Sequence, residues 1–380
     1  MRIAVIGGAF NPVHNEHVNI VKAAVRELAL DKVLIMPTAC SPHKSGNLTA
    51  SGEQRFEMCK LAFAEVIQAE VCPYELQKGG ISYSFETCEY LAEKYPFDSL
   101  FFIIGADMLA SFAQWKNPER ILRCVTLAAC AREDAAAYEN YKSETEKKFG
   151  VKVEKFGYVG KKVSSTRIRT LAALGEDFSE YVNLKVCQYI KDNGVYALKN
   201  LWGAKALLKP DRWRHSVRVA VMCAENARLA DLSEEQAITM AALHDVAKNL
   251  PSDSLYLEGF ECAEDVPPPV VHQFSGAYVA EKYFNLTDKT LLDAIKYHTS
   301  GTEGMTKAQA LLYLCDMLEE GRSFPGVDEL RREFGKGLYR GLYCALERQV
   351  EYLNSTGQPV YGETRRAYEY LKKQLQNQNI

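Results

Sequence analysis

The chain is short of the features that would place it outside ordinary globular proteins. No apolar run among its 380 residues approaches eighteen, so nothing is long enough to span a membrane. The opening Met-Arg-Ile-Ala-Val-Ile-Gly-Gly lacks the basic segment and long apolar stretch of a secretory leader. Eleven cysteines are scattered (Cys40, Cys59, Cys72, Cys88, Cys124, Cys130, Cys187, Cys223, Cys262, Cys315 and Cys344), and no two form C-x-x-C. An odd, unpatterned set argues against a disulfide framework and for reduced, mostly buried thiols in a cytoplasmic protein. Neither charge dominates: Lys and Arg number 46 against 49 for Asp and Glu, a formal charge of −3. Nucleic-acid binders are usually basic, and no basic stripe with interleaved aromatics occurs, so small ligands are the expected partners. Repeats and low-complexity segments are missing too. With 24 Gly, 13 Pro and 25% charged residues, disordered, collagen-like and coiled-coil chains are excluded. Histidine is scarce, at 7 residues, and its placement is informative.

The length favours two domains. In the first half, Ile3 to Ile6, Val33 to Met36, Leu100 to Ile104 and Val125 to Cys130 read as buried strands. Val18 to Leu30 and Gln54 to Ile67 carry apolar residues at helical spacing between them. This alternation predicts an α/β domain, a parallel sheet with helices on both faces and ligands at its carboxyl end. Beyond about residue 200 only helical patterns remain: Val217 to Leu229, Glu234 to Lys248, Ser275 to Phe284, Lys289 to His298 and Lys307 to Glu319. Ser233 with Gln236 has the form of a capping box. The Pro267-Pro268-Pro269 run is expected to break helices, and the charged stretch Tyr138 to Lys155 to be a solvated helix or loop. The expected domains are 1–198 and 199–380.

The first strand runs into Gly7-Gly8-Ala9-Phe10-Asn11-Pro12-Val13-His14-Asn15-Glu16-His17, where a helix begins. Glycines there let a nucleotide approach the backbone, and the helix start offers N–H groups to phosphate. His14 and His17 are three apart and can face one ligand, donating hydrogen bonds as charge builds on phosphoryl oxygens. Two surface histidines, or a metal-binding pair, are the alternatives. Ser164-Ser165-Thr166-Arg167-Ile168-Arg169 opens a later helix with three hydroxyls and two arginines, a set suited to a triphosphate or to simple capping.

Gly7 to His17 resembles the H-x-G-H motif of the nucleotidyltransferase superfamily, and Ser164 to Arg169 its S-T-x-x-R counterpart. Further segments narrow the resemblance to bacterial nicotinate mononucleotide adenylyltransferase: Pro37-x-x-x-Ser41-Pro42-His43-Lys44, Arg55-Phe56-Glu57-Met58, Ser82-Tyr83-Ser84, and Ile104-Gly105-Ala106-Asp107 followed by Trp115. The resemblance implies a Rossmann-like, doubly wound domain that joins nicotinate mononucleotide to the adenylyl group of Mg²⁺–ATP and releases pyrophosphate. It further implies that Gly7, Gly8, Phe10, His14, His17, Gly105, Asp107, Ser164, Ser165, Thr166 and Arg169 serve ATP, with His17 nearest the reacting group. Lys44, Tyr83, Ser84 and Trp115 would serve the mononucleotide, although Trp115 also reads as core. Three positions depart from the family pattern of Thr, Asp and Gly: Ala9, Asn11 and Glu16. Glu16 places a carboxylate between the histidines, where it must point away from ATP.

Four histidines remain: His215, His244, His272 and His298. His244 is followed at once by Asp245 in an apolar segment, and Asp316 also sits in one. Such groups are costly to bury unless something charged is bound. Imidazole and carboxylate sets suit Zn²⁺, Mn²⁺, Fe or Co. The order His215, His244-Asp245, His272, His298, Asp316 resembles the dinuclear branch of the HD phosphohydrolases. Arg212-x-x-His215, His244-Asp245-x-x-Lys248, Tyr297-His298-Thr299-x-Gly301 and Asp316-x-x-Glu319-x-x-Arg322 are similar to the YqeK-type group. That resemblance implies an all-α HD domain cleaving diadenosine tetraphosphate to two ADP. In it Asp245 bridges two ions, His215, His244 and Asp316 favour one, and His272 and His298 the other, with Lys248 on a phosphate oxygen. Other readings stay open: a non-catalytic nucleotide-sensing HD module, and nicotinamide mononucleotide or another phosphorylated acceptor for the first domain. Assembly as a homo-oligomer is compatible with the sequence.

Overall fold

A computed structural model of the chain describes residues 1–39, 48–131, 135–158, 160–161 and 163–377. Six parallel strands form one sheet: β1 (Arg2–Gly8), β2 (Lys32–Pro37), β3 (Ala69–Val71), β4 (Ser99–Gly105), β5 (Thr126–Ala131) and β6 (Glu154–Gly157), in the order β3-β2-β1-β4-β5-β6. This is the doubly wound Rossmann order, in which strand order reverses between β1 and β4. β1, β2, β4 and β5 are nearly continuous apolar runs because helices cover both faces of the sheet. Ile3, Val5, Leu34, Met36, Phe102, Ile104 and Leu127 meet in one buried cluster. The four long strands match the sequence expectation. β3 and β6, of three and four residues, had not been anticipated.

The charged stretch after Tyr138 takes the helical of its two expected forms and is corrected only at its ends. It forms a helix, Ala135–Phe149, and then β6. Tyr138 is fully buried, and its hydroxyl donates to the Ala129 carbonyl at 3.3 Å.

Helices α1 (Asn15–Glu27) and α2 (Gly52–Phe63) follow β1 and β2, α3 (Ala106–Ser111) follows β4, and α4 (Ser165–Ala173) follows β6. Arg55 of α2 is 5% exposed, and its guanidinium donates to three carbonyls: Ala9 (2.8 Å), Ala39 (3.3 Å) and Ala50 (3.3 Å). One buried cation thereby holds the loop after β1 against the segment after β2.

From residue 196 onward, the described residues are helical and contain no strand. The principal helices are α5 (Pro210–Glu225), α6 (Glu234–Leu243), α7 (Pro268–Phe284), α8 (Lys289–Lys296), α9 (Lys307–Leu318) and α10 (Leu338–Ser355). The capping box at α6 forms as expected: Ser233 Oγ accepts from Gln236 N (3.2 Å), and Gln236 Oε1 accepts from Ser233 N (3.0 Å). The proline run is a second correction, since α7 begins at Pro268 with Pro267 as its N-cap. The first turn of a helix has no use for the missing N–H, so proline starts a helix there and does not break one. Regular helix also ends sooner than expected after Glu234. α6 stops at Leu243, and residues 244–249 continue as turns.

The chain divides into two compact units. One gathers the described residues of Met1–Ser45 with Thr49–Ile168 and Asp177–Val195. The other gathers the described residues of Gly46–Leu48, Arg169–Glu176 and Tyr196–Ile380. No described helix is long and apolar enough to cross a membrane. Seven of the ten described cysteines are buried.

Replacing Arg55 by Met would leave three carbonyls, one buried and two partly buried, without their guanidinium donor. The expected loss is about 2–4 kcal/mol of stability in the first unit. Urea unfolding of the full chain checks this, an unchanged transition of that unit being the contrary result.

Candidate functional sites

The first site lies beyond the carboxyl ends of β1 and β4, where strand order reverses. Gly7 and Gly8 end β1, and the loop to α1 turns sharply through Phe10, whose φ of 44° is unusual for a bulky residue. The Phe10 ring is buried (3% exposed) beneath Gly8 and edge-on to His17, with ring centroids 5.0 Å apart. His14 caps α1, and its ring stacks on His17 at 3.7 Å. The His14 backbone N–H donates to His17 Nδ1 at 3.1 Å. A neutral His17 must then carry its proton on Nε2, a donor suited to a phosphoryl oxygen.

The later motif meets this loop directly, because Ser165 Oγ donates to the Pro12 carbonyl at 3.1 Å. Ser164 Oγ accepts from Arg167 N at 3.0 Å and so caps α4, and Thr166 lies in its first turn. Arg169 is 4% exposed and ion-paired with Glu234, its Nε donating at 2.7 Å.

The departures have physical partners. Asn11 Oδ1 accepts from Ala50 N at 3.0 Å. Glu16 is buried and accepts from the Tyr158 hydroxyl at 2.7 Å. On the β4 side, Gly105 caps α3, and a Cβ there would fall 2.5 Å from Asp107 Oδ1, so glycine leaves room for the Asp107 carboxylate where it lies. Tyr83 precedes the helix Ser84–Lys94, with Lys116 Nζ 3.8 Å above its ring. Trp115 is half-buried, tilted against Phe112 at 5.3 Å and edge-on to Phe102 at 6.1 Å. Lys44 lies outside the described residues, as do Ser41, Pro42 and His43.

The second site is a cluster of imidazoles and carboxylates inside the helical unit. α5 supplies Arg212 and His215, the turns after α6 supply His244, Asp245 and Lys248, α7 supplies His272, the segment after α8 supplies His298, and α9 supplies Asp316. His215 Nε2 is 2.8 Å from Asp316 Oδ1, and His272 Nε2 is 3.2 Å from His298 Nε2. Asp245 joins the two pairs. Its Oδ2 is 3.4 Å from His244 Nε2, while its Oδ1 is 3.3 Å from His272 Nε2 and 3.5 Å from His298 Nε2. Two groups have ligating atoms all within 4.8 Å of one another: His215, His244 and Asp316, and His244, Asp245 and His298. Asp245 and Asp316 feel opposed effects. Burial pushes both carboxyls up, but the surrounding imidazoles outweigh it and hold them well below the ordinary range. Burial, aided by the His298 and Lys248 charges, pushes His272 down to about 3, so the ring is neutral and one nitrogen keeps a free lone pair.

Two buried atoms, His244 Nε2 and Asp245 Oδ1, have no hydrogen-bond partner of acceptable geometry. Orphaned buried polar atoms are rare, and here both point into an imidazole–carboxylate set, so the residues fit divalent cations. Arg212 donates to Asp245 Oδ2 at 2.9 Å, Arg322 to Asp316 Oδ1 at 2.9 Å, and Lys248 Nζ lies 3.8 Å from Asp245 Oδ1. Three cations thus ring the cluster. A neighbouring pocket of about 240 Å³ is lined by His298, Thr299, Tyr313, Asp316, Met317, Arg322, Phe324 and Gln349.

Sequence reasoning missed Gln273. Its Oε1 accepts from the backbone N–H groups of Thr299 (3.1 Å) and Ser300 (3.0 Å), and its Nε2 donates to Ser300 Oγ at 2.9 Å. The segment carrying His298 is thereby tied to the helix carrying His272. Nothing local marks Gln273 except its place beside a histidine.

Residues 5–171 match the cytidylyltransferase-like family, and residues 212–323 match the HD domain. A probable nicotinate-nucleotide adenylyltransferase/Ap4A hydrolase of Mycoplasma genitalium is 28% identical over 324 residues, 84% of this chain and 88% of that one. A probable nicotinate-nucleotide adenylyltransferase of Clostridium tetani is 32% identical over 197 residues, 51% of this chain and 98% of that one. Among solved structures, an HD superfamily hydrolase from Clostridium acetobutylicum described as involved in NAD metabolism aligns with a TM-score of 0.42 at 26% identity, covering 46% of this chain and 96% of that one.

Gly276 sets the spacing behind the second site, since a Cβ there would lie 2.9 Å from the His244 carbonyl oxygen. Gly276→Ala is expected to push His244 out of place, weakening retention of divalent metal about 10-fold and costing about 1–3 kcal/mol. Metal content after desalting checks this; full retention would refute the role given to Gly276.

Proposed function

Because the chain belongs to the nicotinate-nucleotide adenylyltransferase family and carries an HD domain beyond it, we propose that it is bifunctional, with the division at 1–198 and 199–380. The first domain transfers the adenylyl group of Mg²⁺–ATP to nicotinate mononucleotide, giving the dinucleotide and pyrophosphate in NAD biosynthesis. The second hydrolyses a phosphoanhydride, with diadenosine tetraphosphate cleaved symmetrically to two ADP. Both activities act on soluble nucleotides and fit a cytoplasmic setting.

The Ser165–Pro12 hydrogen bond supports the transferase reading most directly, because it joins the two phosphate-binding segments at one point. The mononucleotide phosphate is already an anion and needs no protein base. Its oxygen attacks the α-phosphorus in line, and the bond to the pyrophosphate oxygen breaks. Catalysis is then positioning and charge stabilisation. His17, with its proton on Nε2, donates to the α-phosphoryl group, while His14, the α1 N–H groups, Ser165 and Thr166 meet the remaining oxygens. Asp107 accepts from a ribose hydroxyl, and Trp115 offers the pyridine ring an edge of an aromatic cluster. Glu16, held by Tyr158, keeps its charge from the phosphates.

The division of Asp245's two oxygens between His244 and the His272–His298 pair supports the hydrolase reading. His215, His244, Asp245 and Asp316 would hold one divalent ion, and Asp245, His272 and His298 another, with Mn²⁺, Fe, Zn²⁺ and Co all compatible with the donors. Bound ions would supply a water of lowered pKa and a clamp on the phosphoryl group. Lys248, Arg212 and Arg322 neutralise the polyphosphate around it, and in its absence they neutralise the carboxylates.

Two substitutions separate the activities. His17→Ala should lower pyrophosphate release from ATP and nicotinate mononucleotide about 100-fold or more while sparing diadenosine tetraphosphate hydrolysis. Asp245→Ala should do the reverse. Unchanged hydrolysis in the Asp245 variant would sink the hydrolase reading and leave a non-catalytic module, and nicotinamide mononucleotide run in parallel reports acceptor preference.

A further inference from the structure

The four histidines of the helical unit differ in what stands behind the ring nitrogen turned away from the cluster. His244 and His298 place Nδ1 on backbone carbonyls three residues back, Ala241 at 2.6 Å and Ile295 at 2.7 Å. His215 places Nδ1 on a carboxylate, Glu319 Oε1, at 3.2 Å. Glu319 is 2% exposed, and its other oxygen accepts from the Gly321 backbone N–H. Arg331 fastens this turn, donating to the carbonyls of Leu318 (3.0 Å), Glu319 (2.7 Å) and Arg322 (3.1 Å). The carboxylate is therefore held in place behind the ring.

Both ends carry a cation on the cluster side, with Arg322 Nη2 2.9 Å from Asp316 Oδ1 and 3.4 Å from His215 Nε2, but at the other end the cation comes closer to the imidazole. His272 has Lys248 Nζ 3.2 Å from its outward Nδ1 and 2.8 Å from its cluster-facing Nε2, and Thr299 Oγ1 is 3.0 Å from that Nε2. A carboxylate behind an imidazole fixes its tautomer and strengthens it as a donor, whereas an ammonium beside one repels a second cation.

Resting on the reading of this cluster as a two-metal site, we propose that Glu319 makes the two positions unequal. Through His215 it makes the His215–His244–Asp316 position fill first and hold its ion more tightly than the His272–His298 position. Glu319 touches no ion and no substrate in this scheme. It is a positioning residue that sets the order of loading.

The test is stepwise metal binding by the full chain, stripped with a chelator and titrated with Mn²⁺ in a calorimeter. The unmodified chain should bind two ions, the first at least about 10-fold more tightly than the second. Glu319→Gln keeps an acceptor for His215 but loses the charge. It should weaken the first event about 10-fold and leave the second within about 3-fold. His272→Ala should remove the second event and spare the first. Two ions of equal affinity, or a tight event untouched by Glu319→Gln, would overturn the assignment while the two-metal reading stands. Failure of the unmodified chain to bind any ion would overturn that reading and this assignment with it. A measurement without variants guards against misfolding: histidine ¹⁵N–¹H spectra of the unmodified chain, with Zn²⁺ added one equivalent at a time. The first equivalent should shift His215 and His244, and the second His272 and His298. The reverse order would refute the proposal.

Discussion

The helical unit is organised around one buried charge. The Asp245 carboxylate is 2% exposed, and an isolated charge so placed would cost many kcal/mol. Its environment meets that cost from several directions. Imidazoles arrive from the end of α6, from α7 and from the segment after α8, and Arg212 arrives from α5. Those positions are the ends or inner faces of helices that otherwise bury Ala, Leu, Ile and Val. Close approach at Gly276, the clamp by Gln273 and the carboxylate behind His215 all keep this polar island aligned inside an apolar bundle.

The sheet unit meets the converse problem. It presents donors for an anion from a loop that would otherwise be loose. Arg55 ties that loop to the segment after β2, and Ser165 ties it to α4. The strained Phe10 turn spans the stretch between them. The two helix starts are held by opposite devices, one by a stacked histidine pair and the other by serine caps. In both, the protein has ordered the donors before any phosphate arrives.

Much of this was legible in the sequence, and the exceptions share a physical cause. β1, β2, β4 and β5 announce themselves because strands buried on both faces are apolar throughout. β3 and β6 have too few residues for any periodicity to show. At Ala135–Phe149 the many charges left helix and loop both open, although Tyr138 already marked a buried position. Pro267, Pro268 and Pro269 were read for their inability to continue a helix, when position decides whether they start one. The metal-type donors were legible because His and Asp are conspicuous in apolar segments. Gln273 has no such signature, for its effect lies wholly in residues 26 and 27 positions away. The ion pair between Arg169 and Glu234, 65 residues apart, was equally hidden.

The Gln273 clamp has a consequence of a different kind. By joining the backbone after His298 to the helix that carries His272, it holds two ring nitrogens 3.2 Å apart as a single bidentate arm. A flexible pair of imidazoles loses conformational freedom each time it closes on an ion, but this pair lost that freedom when the chain folded. Folding has thus turned one side chain from a helix and one from the turn after another into a preformed pair of donors, and the advantage it confers is entropic.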